Sequence, residues 1–299
     1  MCIRDRNSSV GSAKGKREER SEIKKRILKV LFLFLASIHL SLSSFAADPF
    51  EGADPIWNLL HSPTVQKSLR ITPLNQKKLR SLLDQYDIEF LPYRNQSPDK
   101  TQAEVQELWN KMLVEAKQIF SPTQWNSLTQ IAQNIQAQPA DGRQYLGLRI
   151  KSPELQESGP WINAEKPLRL SDLHDTVVVL HFYAFGCINC INNYPVYLDW
   201  QERFKDENVA IIGIQTPETK AEHDIDLIQQ RAEEAGFTFP ILADIKKNNW
   251  QAWGNSMWPS VYVLDKQGYI REFWPGELRW EGATGDKYLQ QQIENLMKE

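Results

Sequence analysis

The chain has 299 residues, of which 41% are hydrophobic and 24% are charged, a composition typical of a globular protein long enough for more than one domain. The first 46 residues hold 10 of the 35 basic and 4 of the 38 acidic side chains, so residues 47–299 have a formal net charge of −9. Because binding to nucleic-acid phosphates requires clusters of Lys and Arg, this acidic body argues against nucleic acid as a partner.

The N-terminal segment has the pattern of an export signal. Basic residues between positions 24 and 29 precede the apolar run 30–36, and small residues follow. This order is typical of a secretory signal peptide, and we expect residues 1–47 to be removed by cleavage after Ala46 or Ala47. The apolar run is short for a membrane span, but an uncleaved leader would tether the protein to the membrane.

The residues before this leader have no leader-like pattern. We expect residues 1 to about 20 to be artefactual or disordered and to lie outside the fold. Cys2 belongs to this segment, so the exported chain would hold two cysteines, Cys187 and Cys190. We therefore predict a periplasmic or extracellular protein, in a compartment where cysteines can be oxidised.

Residues 48–140 are predicted to form a small all-α domain, because apolar side chains recur there at helical spacing. The apolar runs begin at Leu79, Val105 and Trp125. Thr72 and Ser121 each precede a proline, an order that favours an N-cap followed by the first helical residue.

The two helix openings, "ITPLNQKKLRSLL" and "FSPTQWNSLTQI", resemble helical segments of small periplasmic stress proteins of the Spy/CpxP type. Ordinary capping explains the same pattern, so we interpret the domain as a packing or dimerisation module. Residues 98–104 are predicted as a polar loop between helices. Residues 136–144, with their Pro and Gly, are predicted as the linker to the next domain.

From residue 145 to residue 299, short β-branched runs alternate with helical patterns. Residues 176–182 and 208–215 are predicted as buried strands of a mostly parallel sheet. Further predicted elements are a strand at 239–244, a hairpin at 260–274, and helices at 196–204, 225–236 and 286–298. This order predicts an α/β domain with a thioredoxin-like layout.

Cys187 and Cys190 form a CxxC pair, for which four interpretations compete. A zinc site needs about four ligands, and the chain has neither a second cysteine pair nor two histidines at ligand spacing. Covalent haem needs a histidine after the second cysteine, where Ile191 stands. A structural disulfide across two residues constrains the unfolded chain little. Thiol–disulfide exchange is therefore favoured, and neither a metal nor a cofactor is predicted.

The predicted position of the pair agrees with this chemistry. Cys187 follows a buried strand and opens a helix, where unpaired N–H groups and the helix dipole favour the thiolate. The thiolate is the attacking species, so Cys187 is the candidate nucleophile. Cys190, one helical turn further along, is the candidate resolving thiol.

Residues 145–299 resemble the thioredoxin-like (redoxin) domains of the TlpA/ResA/DipZ group of exported thiol–disulfide oxidoreductases. The segment "FGCINCINNYP" resembles the active-site segment of the group, and "GIQTPE" resembles the strand and loop that follow. "WINAEKPLRLSDLHDTVVVLHF" resembles its lead-in hairpin and first core strand. "NNWQAWGNSMWPSVYVLDKQGYIREFWPGEL" resembles the stretch around its cis-proline.

This resemblance implies a thioredoxin-like fold, with a central mixed sheet flanked by helices, and protein disulfides or dithiols as substrates. Pro259 would be the cis-proline beside the cysteine pair, and Trp258 would present its backbone to an extended substrate segment. A strand start at an edge would also explain Trp258 and Pro259. The resemblance favours a reductase supplied by a membrane electron donor, although the residues themselves do not give the direction of electron flow.

Three positions depart from the pattern of the group. His181 stands where thioredoxins have a buried carboxylate, Asn193 replaces a helix glutamate, and Gly186 replaces a tryptophan before the first cysteine. Because a histidine titrates near neutral pH, His181 is a candidate proton shuttle, and a core histidine with satisfied hydrogen bonds is the equal alternative.

Two other functions compete with the oxidoreductase. In the first, the protein is a periplasmic binding or chaperone-like protein, in which residues 48–140 contact partners and the redox pair is secondary. In the second it reduces peroxides. That chemistry requires a cysteine in a pocket lined by Thr and Arg, and the local sequence has neither residue.

Overall fold

The computed structural model describes residues 55–136, except Asn95 and Ser97, and residues 149–299. The predicted signal peptide, Cys2 and most of the predicted linker lie outside the described residues. The described residues fall within one compact unit, residues 46–299. The division into a helical domain and an α/β domain stays a prediction.

The first part of the described chain is helical, as predicted. Its helices are α1 (Pro55–His61), α2 (Pro63–Ser68), α3 (Pro73–Phe90), α4 (Pro98–Ile119) and α5 (Pro122–Gln136). Both predicted caps are present: Thr72 Oγ1 accepts the Asn75 N–H at 3.3 Å, and Ser121 Oγ accepts the Gln124 N–H at 3.3 Å. These hydroxyls satisfy donors that the first turn of a helix leaves unpaired.

The predicted polar loop at residues 98–104 is wrong. These residues form the first turns of α4, which begins at Pro98. Proline suits the first helical position because its missing N–H has no partner there in any helix. The polar composition of the segment therefore belongs to a helix start and not to a loop.

The second part of the chain forms one seven-stranded mixed sheet. Its strands are β1 (Ile150–Lys151), β2 (Trp161–Ile162), β3 (Val177–Tyr183), β4 (Val209–Gln215), β5 (Ile241–Ala243), β6 (Ser260–Leu264) and β7 (Tyr269–Pro275). They lie in the order β1-β7-β6-β3-β4-β5-β2. Strands β3, β4 and β5 are parallel, and the other pairings are antiparallel. The expected lead-in hairpin is absent from the described chain, because β2 is the one strand between Trp161 and the start of β3 and it pairs with β5.

Four further helices follow the strands in the described chain: α6 (Ile188–Arg203), α7 (Ile225–Ala235), α8 (Asn248–Ala252) and α9 (Gly285–Leu296). Gly236 ends α7 as predicted, with a left-handed φ of 77° that glycine adopts without strain. The β6–β7 hairpin turns where predicted, and Gly268 there has a φ of 78°. Every helix in the described ranges is too short or too polar to cross a lipid bilayer.

The two faces of the sheet belong to different cores. On β3, Val177 and Val179 pack with α6, α7 and α9, whereas Val178, Leu180 and Phe182 pack in a cluster that also contains buried residues of α1, α3, α4 and α5. This alternation follows from the two-residue period of a strand. Helices α1–α5 therefore form a layer on one face of the sheet and share a core with it.

Candidate active site

The cysteine pair lies where the chain leaves β3 and begins α6. Cys187 is the N-cap residue of α6, and Cys190 lies in its first turn. The Cys187 N–H donates to the Ala184 carbonyl at 3.2 Å, and the Cys190 N–H donates to the Cys187 carbonyl at 3.0 Å. Cys187 is partly exposed, Cys190 is completely buried, and both are free thiols. The turn thus presents one thiol to solvent and keeps the other behind it.

The two thiols have opposite electrostatic environments. A hydrogen bond from the Cys190 thiol, helped by the N–H groups of Cys190 and Asn189, lowers the pKa of Cys187 to about 7, although partial burial and the Glu218 charge oppose this. Burial, and then the bond with Cys187, raises the pKa of Cys190 well above that of a free thiol. Near neutral pH the pair therefore holds a partly ionised outer thiol and a protonated inner thiol.

The Trp258–Pro259 peptide bond is cis, as the resemblance implies. Phe182 pairs with Ser260 in the sheet, so Pro259 lies beside the end of β3, where the chain turns towards Cys187. The Trp258 indole N–H donates to the Thr216 carbonyl at 3.1 Å, and its ring stacks on Trp250 with centroids 4.0 Å apart. The structure thus brings Pro259 and the cysteine turn to the same end of the sheet.

Asp244 holds the partners of Trp258 in place. This completely buried carboxylate accepts the N–H groups of Asn249 and Trp250 at 3.1 and 2.9 Å, and the Thr216 hydroxyl at 3.1 Å. The Thr216 N–H donates to the Tyr183 carbonyl at 2.9 Å. Through Thr216, the loop after β4 is therefore bonded directly to the end of β3 and, by way of Asp244, to the start of α8.

His181 is completely buried on β3, on the face that packs against α6. Its ring stacks on Tyr197 with centroids 4.1 Å apart, and Phe239 meets it edge-on at 5.1 Å. Neither ring nitrogen has a hydrogen-bond partner among the described residues. Burial lowers the pKa of His181 to about 3, so the ring is neutral under ordinary conditions.

Asn193 has a structural connection that its position in the sequence did not reveal. It is buried, its Oδ1 accepts the Leu278 N–H at 2.9 Å, and its Nδ2 donates to the Tyr197 hydroxyl at 3.2 Å. An amide can make both bonds at once because it carries a donor and an acceptor. Asn193 therefore fastens α6 to the loop after β7.

Sequence reasoning missed Glu222, a completely buried carboxylate that accepts the Gly186 N–H at 2.8 Å, one residue before Cys187. The only signal was the T-x-x-E pattern from Thr219 to Glu222, which forms a capping box at a 3₁₀ turn. That pattern predicts a helical start, but it does not predict that the glutamate also contacts the cysteine turn.

Exposed apolar side chains lie next to the candidate site residues in the chain. Ile188 and Ile191 on the first turn of α6 are 65% and 40% exposed, and Met257, beside Trp258, is 46% exposed. Such side chains usually signal contact with another molecule when they cluster at a reactive group. Within the described residues, no group of three or more His, Cys, Asp or Glu side chains is placed to hold a metal ion.

The part of the chain that contains the cysteine pair is similar in sequence to known proteins. Residues 147–273 match the model of the AhpC/TSA family. Protein DipZ of Mycobacterium bovis is 33% identical over 149 residues, which cover 49% of this chain and 21% of DipZ. The thiol-disulfide oxidoreductase YkuV of Bacillus subtilis is 26% identical over 152 residues, which cover 51% of this chain and 97% of YkuV. The chain therefore spans about a fifth of the length of DipZ, and the likeness covers about half of the chain.

A solved structure, the solution structure of a thioredoxin-like protein in the oxidised form, covers 51% of this chain at 25% identity with a TM-score of 0.44. The sheet order and the CxxC pair at the start of α6 give residues 149–299 a thioredoxin-like fold. In sequence, residues 147–273 are similar to the AhpC/TSA family, and about half of the chain is similar to the DipZ and YkuV proteins.

Proposed function

We propose that this redoxin domain is a thiol–disulfide oxidoreductase, with Cys187 as the nucleophile and Cys190 as the resolving thiol. The observation that carries the proposal is the asymmetry of the pair. A partly exposed thiol with a pKa lowered to about 7 lies at the start of a helix, hydrogen-bonded to a buried thiol whose pKa is raised. The outer thiol is the one a substrate can reach, and its thiolate is the form that attacks disulfides.

The exchange follows two steps. The Cys187 thiolate attacks one sulfur of a partner disulfide, which breaks the S–S bond, forms a mixed disulfide and releases the other sulfur as a thiolate. Cys190 then loses its proton and attacks the Cys187 sulfur, which forms the Cys187–Cys190 disulfide and releases the second partner thiol. Two electrons pass from the cysteine pair to the partner, and a dithiol donor must later return them.

Trp258 and Pro259 are the residues we assign to substrate positioning. The bond to Thr216 and the stack on Trp250 fix the Trp258 side chain, so the backbone of the cis dipeptide has a defined place beside the end of β3. The exposed Ile188 and neighbouring apolar side chains fit an unfolded or extended protein segment better than a small polar molecule. Protein disulfides or dithiols are therefore the proposed substrates.

The proposed location and donor rest on the sequence and the resemblance. The basic and apolar N-terminal segment supports export to the periplasm or the extracellular space, with a membrane tether if the leader stays uncleaved. In that compartment the reducing direction needs electrons from the cytoplasmic side, so we propose a membrane-bound dithiol donor. The alternative of a binding or chaperone-like protein is not favoured, because α1–α5 share a buried core with the sheet.

The test is turnover of a protein disulfide substrate by the purified protein with a dithiol donor. We expect Cys187→Ser to abolish turnover, because no other described thiol is exposed. Cys190→Ser should instead accumulate a mixed disulfide between Cys187 and the substrate, visible on a non-reducing gel and lost on addition of reductant. Full turnover by the Cys187→Ser protein would refute the proposed function.

A further inference from the structure

Glu222 is a completely buried carboxylate that connects the loop after β4 to the turn before Cys187. Its Oε1 accepts the Gly186 N–H at 2.8 Å, and its Oε2 accepts the N–H groups of Glu218 and Thr219 at 2.7 and 2.6 Å. Buried charge is costly unless hydrogen bonds satisfy it, and three short bonds to N–H groups satisfy this one. Both oxygens are occupied, so the carboxylate is suited to holding backbone and not to moving protons.

Gly186 fits this arrangement sterically. A Cβ atom at Gly186 would lie 3.0 Å from Glu222 Oε1, closer than such atoms normally approach. The absence of a side chain therefore lets the carboxylate reach the N–H of the residue that directly precedes Cys187. The same carboxylate holds the backbone of Glu218, whose charge acts on both cysteines.

We propose that Glu222 is a positioning residue for Cys187: by bonding the Gly186 N–H, it holds the turn in the geometry that places Cys187 against Cys190. The inference rests on the proposed function, since it assigns Glu222 to the reactive thiol. It can nevertheless be tested on the thiol itself, without a substrate. The groups that act on Cys187 are the Cys190 thiol, the N–H groups of Cys190 and Asn189, and the Glu218 carboxylate. Burial, the two cysteines and then the Glu222 charge raise the pKa of Tyr194 of α6.

The two roles that Glu222 could have predict opposite shifts in the pKa of Cys187 when the carboxylate is removed. If Glu222 positions the turn, its loss loosens Cys187 from Cys190, and the Cys187 thiolate loses the hydrogen bonds that stabilise it. The pKa of Cys187 then rises. If the carboxylate acts only through its negative charge, its loss favours the thiolate, and the pKa of Cys187 falls. The direction of the shift therefore separates positioning from a charge effect.

The experiment measures the rate of iodoacetamide alkylation against pH in the reduced full-length protein, with the Cys187 peptide quantified by mass spectrometry. We expect Glu222→Ala, which removes both acceptor oxygens, to move the midpoint upwards by about half a pH unit or more, which corresponds to roughly twofold slower alkylation at pH 7 because only the thiolate reacts. A midpoint that falls or does not move overturns the proposal.

Glu154 offers a matched control. Its carboxylate also accepts three backbone N–H groups, from Leu155 at 2.9 Å, Leu170 at 2.6 Å and Ser171 at 3.0 Å, in the segment before β3. Glu154→Ala removes the same kind of bonds and should leave the Cys187 midpoint unchanged. An equal upward shift in this control would mean that any loss of stability moves the midpoint, and would overturn the proposal.

Gly186→Ala provides a second variant that keeps the Glu222 charge. Its added methyl group would lie 3.0 Å from Glu222 Oε1, so the carboxylate must give way and its bond to the Gly186 N–H is strained. The alkylation midpoint should therefore also rise. If Glu222→Ala does not fold, this variant decides: an upward shift supports positioning, and a midpoint that falls or does not move overturns it. The outcome is independent of substrate turnover, so failure of the proposed function, seen with Cys187→Ser, is recognised separately.

Discussion

His181 is surrounded by aromatic rings and has no hydrogen-bond partner for either ring nitrogen among the described residues. A proton shuttle needs a donor or acceptor within hydrogen-bond reach, and burial lowers the pKa of His181 to about 3, far from working pH. The geometry favours a core histidine. The sequence interpretation assumed that such a histidine has its hydrogen bonds satisfied, and here both ring nitrogens lack a partner among the described residues.

We expect His181→Phe to fold, and its free energy of unfolding should be at most about 1 kcal/mol below that of the original protein. A phenyl ring fits an aromatic environment and has no nitrogens to desolvate, so the free energy of unfolding can also rise. The pH dependence of substrate turnover should not change. Thermal unfolding and a pH–rate profile check both statements. A profile that loses an ionisation in this variant would show that His181 moves protons after all.

At this scale the sequence indicated the cysteines that we propose to react and missed the carboxylate that holds their turn. Cys187 and Cys190 follow from a short motif whose chemistry is local, and Pro259 follows from the family resemblance. Glu222 does not, because its bond to Gly186 joins positions 36 residues apart and depends on how the loop after β4 folds back. A capping pattern alone does not predict a contact across that distance.

Among the elements, α3 makes the decisive contacts between the helical layer and the sheet. Asp87 on α3 is completely buried and accepts the Lys151 N–H of β1 at 2.8 Å and the Trp57 indole N–H at 3.2 Å. It also bonds His61 Nε2 at 2.7 Å. One carboxylate thus joins α1, α3 and the edge strand of the sheet.

Replacing Asp87 with Ala should lower the free energy of unfolding by about 3–5 kcal/mol, because three buried donors lose their acceptor. Asp84, three residues earlier on the same helix, is the control. Its side chain is 30% exposed, pairs with Arg80 at 3.6 Å and accepts the Tyr269 hydroxyl at 3.0 Å. An amide oxygen can keep the bond from Tyr269, so Asp84→Asn should cost about 1 kcal/mol or less. Urea denaturation measures both variants, and equal losses would contradict the role assigned to Asp87.

For the whole molecule, strands β3 to β7 and helices α6, α7 and α9 were predictable, because β-branched runs and helical periodicity are strong local signals. The two-residue strands β1 and β2 and the five-residue helix α8 were not predicted, since such short elements carry no periodic pattern. The helical layer was predicted as a set of helices, but its packing on the sheet was not. Amphipathic spacing shows that a helix has a buried face without showing what covers it.

The packing of the helical layer on the sheet allows a prediction that could not be made from the sequence. Arg94, just after α3, lies over the Phe273 ring at 4.1 Å and donates to the Gly254 carbonyl at 3.3 Å. Leu180, Phe182 and Tyr262 belong to the same buried cluster as side chains of α1–α5. Exposing these three side chains and that of Phe273 would cost roughly 6–12 kcal/mol, at 1.5–3 kcal/mol each. That loss equals most of the stability of a typical domain.

We therefore expect residues 149–299 alone to lack a cooperative unfolding transition and to bind a hydrophobic dye, whereas a chain that begins at Asp48 should unfold in one transition. Calorimetry and dye fluorescence on the two proteins make the comparison. If the fragment instead unfolds cooperatively and keeps its disulfide turnover, the helical layer is a separable module. In that case residues 149–299 would not need the helical layer for folding. The function of residues 48–140 would then have to be sought in binding to a partner.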